Sequence, residues 1–477
     1  MRRVSLRIGI GSCLLAASTA LFAQNGPVPT LAPAAVSTDE RIANLEKFLA
    51  QTQEEVAALE ASSAGASEAQ IAELERKIEI LGAEIEGLKV GEAAEPSDVS
   101  TEDRTDARYG VGVAASKVYG IKRGVSIGGY GEALYENPAG DDQSGNPSGE
   151  VDQIDFLRAV VYLGYKFDDH WVLNTEIEYE HAVAADGADG EVAVEFAYLD
   201  YMKSRLLNVR SGLVLMPVGL VNELHEPTVS ISARRPDVER VILPTTWREI
   251  GAGVYGESGM LAYRAYVTSS LDAAGFTADG GIRGGRQEGS EAIAQDWALS
   301  GRLDYVGTAG LLVGVSVFTG QTGQDNHTPS GRKIDASTTG FDVHADWQWR
   351  GLWLRGLFAQ TAISQADLIN EFNGFVGDES VGSRQNGWYV QGAYDVLSFS
   401  PTSKMSLLPY VRYEQYDTQE EVPAGYARNP ANDIDVLTVG IAFKPIDRLI
   451  FKLDWQQRQN AANTGVNAWN VALGYIF

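Results

Sequence analysis

Arginine residues recur at positions where strand alternation would place their side chains on one face. They are Arg158, Arg210, Arg264, Arg302, Arg355 and Arg412. A second group lies within residues 217–248, where Arg234, Arg235, Arg240 and Arg248 are interspersed with Glu223, Glu226, Asp237 and Glu239. A guanidinium group binds phosphate or carboxylate through two parallel hydrogen bonds. These residues predict electrostatic selection of anions; the alternative is that they pair with neighbouring carboxylates and only stabilise the fold.

Residue types that perform covalent chemistry form no recognisable constellation. The five histidines are His170, His181, His225, His327 and His344, and their spacing matches no metal site. No Ser/His/Asp or paired-carboxylate set can be assigned to one point of the chain. We therefore expect no enzyme activity, no cofactor and no bound metal.

The charge balance excludes nucleic acid as a partner. The 477 residues include 38 Lys and Arg against 64 Asp and Glu, a formal net charge of −26, whereas binding phosphates requires a basic surface. No run of 18 apolar residues occurs, which excludes helical membrane spans. The 51 Gly, 20 Tyr and 9 Trp favour strands and tight turns. A soluble all-β protein and a membrane barrel remain.

The chain before residue 125 divides into four predicted segments. Residues 1–23 resemble a signal peptide, 24–38 a spacer, 39–90 a periplasmic coiled coil and 91–124 a linker. The coiled coil depends on Ile71, Leu74, Ile78, Leu81, Ile85 and Leu88, which are spaced alternately by three and four residues. A helical hairpin is the alternative to the coiled coil, and lipidation of Cys13 is the alternative to cleavage after Ala23.

From residue 125 onward the apolar residues alternate with period two. Sixteen segments are predicted as strands: 125–135, 153–167, 171–182, 192–202, 207–216, 249–256, 260–269, 296–306, 310–320, 336–349, 352–363, 385–395, 405–417, 433–444, 448–459 and 468–477. Long and short connections alternate between them, as in outer-membrane barrels with short periplasmic turns and long outer loops. The prediction is an all-β, 16-stranded antiparallel transmembrane β-barrel over residues 125–477, with 270–295 and 364–384 outside the cell.

The two faces of these strands differ in character. The charged face carries Arg210, Arg264, Arg302, Asp342, His344, Asp346, Lys452, Asp454 and Arg458. In a membrane barrel of this size that face would line an aqueous lumen. Aromatic residues lie near strand ends, as expected of interfacial girdles: Trp171, Tyr198, Trp347, Trp349, Trp388, Tyr413 and Trp469. The connection at 217–248 is expected to fold inward and narrow the lumen, with Arg210, Arg240 and Arg248 forming a basic patch there.

An ordered set of segments resembles the phosphate-selective porin O and P family. The set comprises Val125–Glu136, Phe156–Arg158, Val194–Tyr201, Val214–Gly219, Trp247–Gly251 and the terminal Phe477. The resemblance implies a 16-stranded channel that is usually trimeric and often prefers anions, recognised by the barrel-assembly machinery through Phe477. The N-terminal coiled coil occurs in some relatives of that family.

The predicted function is passive diffusion of small hydrophilic solutes or anions through the outer membrane of a Gram-negative bacterium. The strongly acidic composition argues against a strict preference for phosphate. The predicted partners are outer-membrane lipid and two further copies of the chain in a homotrimer. The alternative function is structural, with the periplasmic coiled coil tethering the outer membrane to the cell wall.

Overall fold

The computed structural model describes Lys47, Ala50, Ala107 and residues 109–185, 187, 190–400 and 403–477. The chain divides into two compact units, Met1–Glu95 and Pro96–Phe477. The predicted signal peptide, spacer and coiled coil lie outside the described residues, apart from Lys47 and Ala50, which are helical. These three assignments stay predictions.

Sixteen antiparallel strands form a closed barrel in the described part of the second unit. They are β1 Gly124–Pro138, β2 Gln153–Lys166, β3 Trp171–Glu180, β4 Val192–Met202, β5 Asn208–Leu215, β6 Arg248–Ser258, β7 Leu261–Ser269, β8 Trp297–Thr308, β9 Leu311–Gln321, β10 Ser337–Trp349, β11 Leu352–Ile363, β12 Arg384–Tyr394, β13 Ser406–Glu421, β14 Asp433–Ile446, β15 Leu449–Asn460 and β16 Ala468–Ile476. Each strand pairs with its neighbours in the chain, and the predicted fold class is confirmed.

The barrel closes between its first and last strands. The register of β1 and β16 runs from Tyr130 opposite Ile476 to Pro138 opposite Ala468. Gly129 and Phe477 then exchange two backbone hydrogen bonds of 3.1 and 2.9 Å. The C-terminal residue therefore takes part in the closure, which leaves neither strand with an unpaired edge.

The connections are sorted by length between the two ends of the barrel. One end has tight turns, such as the one between β10 and β11, where Arg350 and Gly351 both have positive φ, 49° and 83°. Two consecutive residues of this kind form the type I′ turn that matches the twist of a hairpin. The other end carries the long connections, including 216–247 and 270–296. We call these the short-turn end and the long-loop end.

The outer face of the wall is apolar and the inner face is polar. Along β9, Val313, Val315 and Val317 are 41–49% exposed, whereas the intervening Ser316 and Phe318 are buried. Trp171, Trp349 and Trp469 are exposed near strand ends, as predicted for the girdles. The prediction is wrong for Tyr198, which faces inward with 1% exposure because its ring packs on Arg210.

Much of the interior is occupied by protein. Helix α1, Val113–Gly120, packs against the inner face of β1, β2 and β3. A Cβ atom added to Gly128 or Gly164 would lie 2.6 Å from Ala114 O or Val118 Cβ, so glycine is what permits this close approach. Residues 91–124 were predicted as a linker; their described part contains this helix.

Two further helices belong to long-loop connections: α2, Asp237–Val241, and α3, Ala366–Asn373. An apolar core within the barrel joins both helices to the wall, and Ile242, Trp247, Phe318 and Tyr389 belong to it. The lumen of this barrel is thus partly filled, in contrast to the open aqueous channel that the strand number predicts. No helix among the described residues is long and apolar enough to cross a membrane.

Candidate pore

The connection between β5 and β6, residues 216–247, folds into the barrel and spans it. Its backbone N–H groups donate to carboxylates on distant strands: Gly219 to Asp342 on β10 at 3.1 Å, and Ala233 to Asp454 on β15 at 2.7 Å. We call this connection the inner loop. Its inward course agrees with the prediction for residues 217–248.

The inner loop is held by buried side chains of its own. Asn222 donates to the carbonyl groups of Met216 and Trp247 and accepts from Trp247 N, which ties the two ends of the loop together. Glu239 accepts from Leu220 N and from Tyr389 on β12, at 2.7 and 2.6 Å. These hydrogen bonds between buried groups fix the course of the inner loop within the barrel.

Three of the predicted strand arginines contact carboxylates inside the barrel; Arg158 and Arg302 are buried and Arg264 is partly buried. Arg264 and Arg302 both contact Glu223 of the inner loop, at 3.0 and 3.4 Å, and both contact Asp304 on β8, at 3.1 and 2.8 Å. Arg158 lies 3.0 Å from Glu178. These guanidinium groups are oriented by the wall and the loop.

Arg210 has a similarly closed environment. Its Nε and Nη2 donate to Asp200 at 2.9 and 3.0 Å, and its guanidinium carbon lies 3.8 Å from the ring centre of Tyr198. Nη2 also donates to the hydroxyl group of Tyr119 on α1, at 3.1 Å. The predicted patch with Arg240 and Arg248 is not found, because the contacts of Arg210 are with the wall and α1.

The remaining predicted arginines lie at the long-loop end. Arg248 is buried between Glu195 and Glu288, at 2.8 and 3.3 Å. The other three are at least partly exposed: Arg234 pairs with Glu136, Arg240 with Asp237 at 3.0 Å, and Arg235 donates to the carbonyl group of His225 at 3.1 Å. This group differs from the strand arginines by its access to solvent.

The connection between β7 and β8 adds two arginines that alternation could not identify. Arg283 donates to the carbonyl groups of Arg240 and Thr245, at 3.1 and 3.2 Å. Arg286 donates to Thr245 O and pairs with Glu288 at 2.9 Å. The sequence Arg283-Gly-Gly-Arg286 could have indicated this pair, since two arginines in one turn must lie close together.

We define the arginine cluster as Arg234, Arg235, Arg240, Arg248, Arg283, Arg286 and Arg458. Their ion-pair partners among the described residues are Glu136, Asp237, Glu195 and Glu288. Burial and the neighbouring Arg286 and Arg240 lower the pKa of Arg283 to about 9. Burial raises the pKa of Asp237, but Arg458 and Arg240 outweigh it and hold that pKa well below its usual range. Neighbouring arginines contribute to both shifts, as expected where several cations lie close together.

A cavity of about 1050 Å³ opens at the short-turn end. Tyr109 and Val111 line one side, and Arg264, Arg302 and Asp304 line another. The described residues therefore form two unlike regions, a cationic one at the long-loop end and one of mixed charge below the inner loop. Within the described part of the chain, no group of His, Cys, Asp and Glu has the arrangement of a metal site.

Comparison with known proteins gives one relative by sequence. The chain is 37% identical over 377 residues to an uncharacterized protein of Aquifex aeolicus (strain VF5), covering 77% of this chain and 83% of that protein. No family model matches the chain, so membership of the phosphate-selective family stays a prediction.

Solved structures with a similar backbone include outer-membrane channels. One is an anion-selective porin from Comamonas acidovorans, with 11% identity, 75% and 100% of the two chains covered and a TM-score of 0.49. Another is OmpF of Salmonella typhi in complex with daunomycin, with 12% identity, 74% and 98% covered and a TM-score of 0.48. A third is the outer-membrane channel DcaP of Acinetobacter baumannii, with 12% identity, 74% and 97% covered and a TM-score of 0.46.

Proposed function

The chain belongs to one family with the Aquifex aeolicus protein, and from its own barrel we propose that it is an outer-membrane channel for passive diffusion of small hydrophilic solutes, with a preference for anions. The argument for the membrane is the inverted pattern of the wall. Apolar side chains cover the outside and charged side chains line the inside, the reverse of a soluble barrel. A closed barrel also pairs the backbone N–H and C=O groups of every strand, whereas an open edge in lipid would leave such groups without hydrogen bonds.

The anion preference depends on the arginine cluster. A solute entering from the long-loop end meets Arg234, Arg235, Arg240 and Arg283 with their side chains partly accessible. The single observation that carries the proposal is Arg283, whose hydrogen bonds in the described structure go to carbonyl oxygens. A carbonyl group orients the guanidinium without neutralising it, so its charge remains available to an anion.

The selectivity experiment compares two charge reversals at the long-loop end. Reversal potentials are measured across planar bilayers in gradients of chloride and then of phosphate. Arg283→Glu changes the local charge by two and should shift the reversal potential toward cations. The matched control is Lys333→Glu, an exposed residue of the β9–β10 connection that already pairs with Asp325, and its shift should be smaller. Equal shifts would show that the arginine cluster does not set selectivity.

The salt dependence separates a local field from a change in net charge. The screening length falls from about 10 Å at 0.1 M to about 3 Å at 1 M salt. The shift caused by Arg283→Glu should therefore shrink in molar salt. A wild-type protein that carries no ion current under any of these conditions would refute the channel itself.

The assembly and the targeting of the chain are parts of the same proposal. We propose a homotrimer, which a mass measurement in detergent would test, and recognition by the barrel-assembly machinery through Phe477. The hydrogen bonds between Phe477 and Gly129 support a role of this residue in closing the barrel. The structural alternative, a coiled-coil tether, predicts that deletion of residues 24–106 abolishes function. A diffusion channel predicts that conductance survives the deletion.

A further inference from the structure

The segment that precedes β1 enters the barrel and returns to the wall. Ala107 and Tyr109 line the cavity at the short-turn end, Gly112 lies against the inner loop, and α1 leads back to β1. The ring of Tyr109 lies 4.8 Å from that of Tyr119 at the end of α1. Residues 109–120 thus form a folded-back segment inside the lumen, which we call the plug.

The plug rests on a surface that is shaped for it. Val118 packs over Gly164, Asn174 donates to Ala115 O at 3.0 Å, and the Tyr119 hydroxyl donates to Asp200 at 2.7 Å. Wall side chains donate to carbonyl groups of the plug, the Tyr119 hydroxyl donates to a wall carboxylate, and the plug contributes no strand to the barrel. It can therefore leave without breaking any backbone hydrogen bond between the strands.

The carboxylate of Glu226, on the inner loop, binds the N-terminal end of α1 in the plug. Glu226 Oε1 accepts from Ala114 N at 2.8 Å and from Ala115 N at 3.3 Å, which satisfies two of the free N–H groups at the start of α1. Glu226 is 1% exposed, and its Oε2 has no hydrogen-bond partner in the described structure. A half-satisfied buried carboxylate makes this contact weaker than the Asp200 site.

The groups that face Glu226 come from four elements. His225 precedes it on the inner loop and contacts Glu176 of β3 at 3.1 Å. Tyr162 of β2 and Lys117 of α1 interact with Glu226 electrostatically. No arginine pairs directly with Glu226 among the described ion pairs, so its two oxygens depend on the plug and on burial.

We propose that residues 109–120 are a gate, docked across the β1–β4 side of the lumen and latched by Glu226, which must move toward the short-turn end before this side conducts. This inference depends on the proposed channel function. Two hydrogen bonds of ordinary strength shift a docking equilibrium by roughly ten- to hundredfold. Loss of the latch should raise the open fraction by a factor of that order.

The experiment replaces the carboxylate latch with a covalent one. A Cβ atom on Gly112 would lie 2.8 Å from Glu226 Cγ, so the Cβ atoms of Gly112→Cys and Glu226→Cys come within disulfide reach, roughly 3.5–4.5 Å. Gly112 has φ of −62°, which any residue adopts. The single cysteine of the chain is Cys13, in the predicted signal peptide, so a chain cleaved after Ala23 offers no competing thiol.

Conductance of the double variant is recorded before and after reduction, and Glu226→Cys alone is the control for the reductant. The oxidised protein should conduct less than wild type, and the reduced protein should conduct more. Equal conductance in both states, with the disulfide verified by mass, would refute the gate and leave the channel intact. Failure of the disulfide to form in a heat-modifiable, folded barrel would refute the docked geometry. Absence of current in every form would refute the channel instead.

Discussion

Arg210 distinguishes a structural from a selective role for the arginines of the wall. Arg210→Met removes the guanidinium and retains an unbranched apolar chain in place of the aliphatic stem. Asp200 then keeps its two tyrosine donors, Tyr119 at 2.7 Å and Tyr255 at 2.8 Å, but loses both N–H donors. The result is a buried carboxylate without a counterion.

The expected cost follows from the burial of both partners. The side chains of Arg210 and Asp200 are 4% and 0% exposed, and removal of one member of a buried pair typically costs about 3–5 kcal/mol. The double variant Arg210→Met/Asp200→Asn removes both charges and retains a carbonyl acceptor for the tyrosines. It should recover most of the loss, to within about 1–2 kcal/mol of wild type.

The assay is urea-induced unfolding in detergent, followed by tryptophan fluorescence and by the heat-dependent gel shift. Arg205→Met is the control, because Arg205 and Glu257 form a pair at the surface, with side chains 70% and 37% exposed. Such a pair contributes at most about 1 kcal/mol. Reversal potential is measured on the same samples and should not change with Arg210→Met.

One combination of results would refute a structural role for Arg210. If Arg210→Met is no less stable than Arg205→Met and its reversal potential moves toward cations, Arg210 acts on permeating ions. The hypothesis drawn from strand alternation would then be right about Arg210. If Arg210→Met is less stable and the double variant does not recover the loss, the loss comes from the packing of the Arg210 side chain and not from the unpaired Asp200.

Three further predictions concern the plug and the topology. Burial raises the pKa of Glu226 to about 7, so the folded barrel is more stable while this carboxyl is protonated; the free energy of unfolding in detergent should fall as the pH increases from 5 to 8. Gly164→Leu should displace the plug and increase proteolysis before β1, whereas Gly301→Leu, whose Cβ would meet nothing closer than 3.8 Å, should not. Cysteines introduced at 270–295 should be labelled from outside intact cells, and those at 350–351 should not. The reverse labelling would show that the barrel has the opposite orientation in the membrane.

The sign of the pH effect follows from linkage. A group whose pKa is higher in the folded state binds its proton more tightly there, so its contribution to stability is complete below its ordinary pKa and is lost as the pH rises through the folded-state value. His225 has its pKa raised as well, because the nearby Glu176 outweighs the opposing effect of burial. Loss of the protons from His225 and Glu226 therefore weakens the contacts of the inner loop over the same range of pH. A stability that does not change between pH 5 and 8 would contradict the burial of Glu226 described above.

The barrel could be predicted from the sequence because an apolar outer face and a largely polar inner face impose alternation on each strand. A predicted strand such as 336–349 differs from β10, Ser337–Trp349, by one residue. Connection length supplied the second constraint, since tight turns at one end require long loops at the other. Tyr198 was wrongly assigned to a girdle because an aromatic residue near a strand end is compatible with either face of the wall.

The partners of the arginines needed information that alternation does not contain. Alternation assigns a face, whereas a contact depends on the register between neighbouring strands. For Arg210 the register was within reach, because the short turn between β4 and β5 brings Asp200 directly opposite it. Arg302 and Asp304 could also have been paired, since residues two apart on one strand share a face. The contact of Arg264 with Glu223 was out of reach, because it depends on the path of the inner loop.

The plug was missed for a different reason. Its sequence, VAASKVYG over Val113–Gly120, is short and has no clear apolar periodicity, so it does not predict a helix. A helix of this length is stabilised mainly by the surface on which it docks. The evidence in the sequence lay on the partner instead. Gly128 and Gly164 interrupt strands whose other inward positions carry larger side chains, and glycine at such positions indicates a close approach by another segment.

Net charge and local charge give opposite expectations for the ion preference of the proposed channel, and the distance over which a charge acts decides between them. The chain carries a formal −26, but a charge acts over about 8–10 Å at moderate salt. Many carboxylates of the inner wall are already paired, as Asp304 is with two arginines and His344. At the long-loop end the arginine cluster exceeds its ion-paired carboxylates. We therefore expect an ion that comes within this distance of the arginine cluster to respond to the cluster more than to the net charge of the chain.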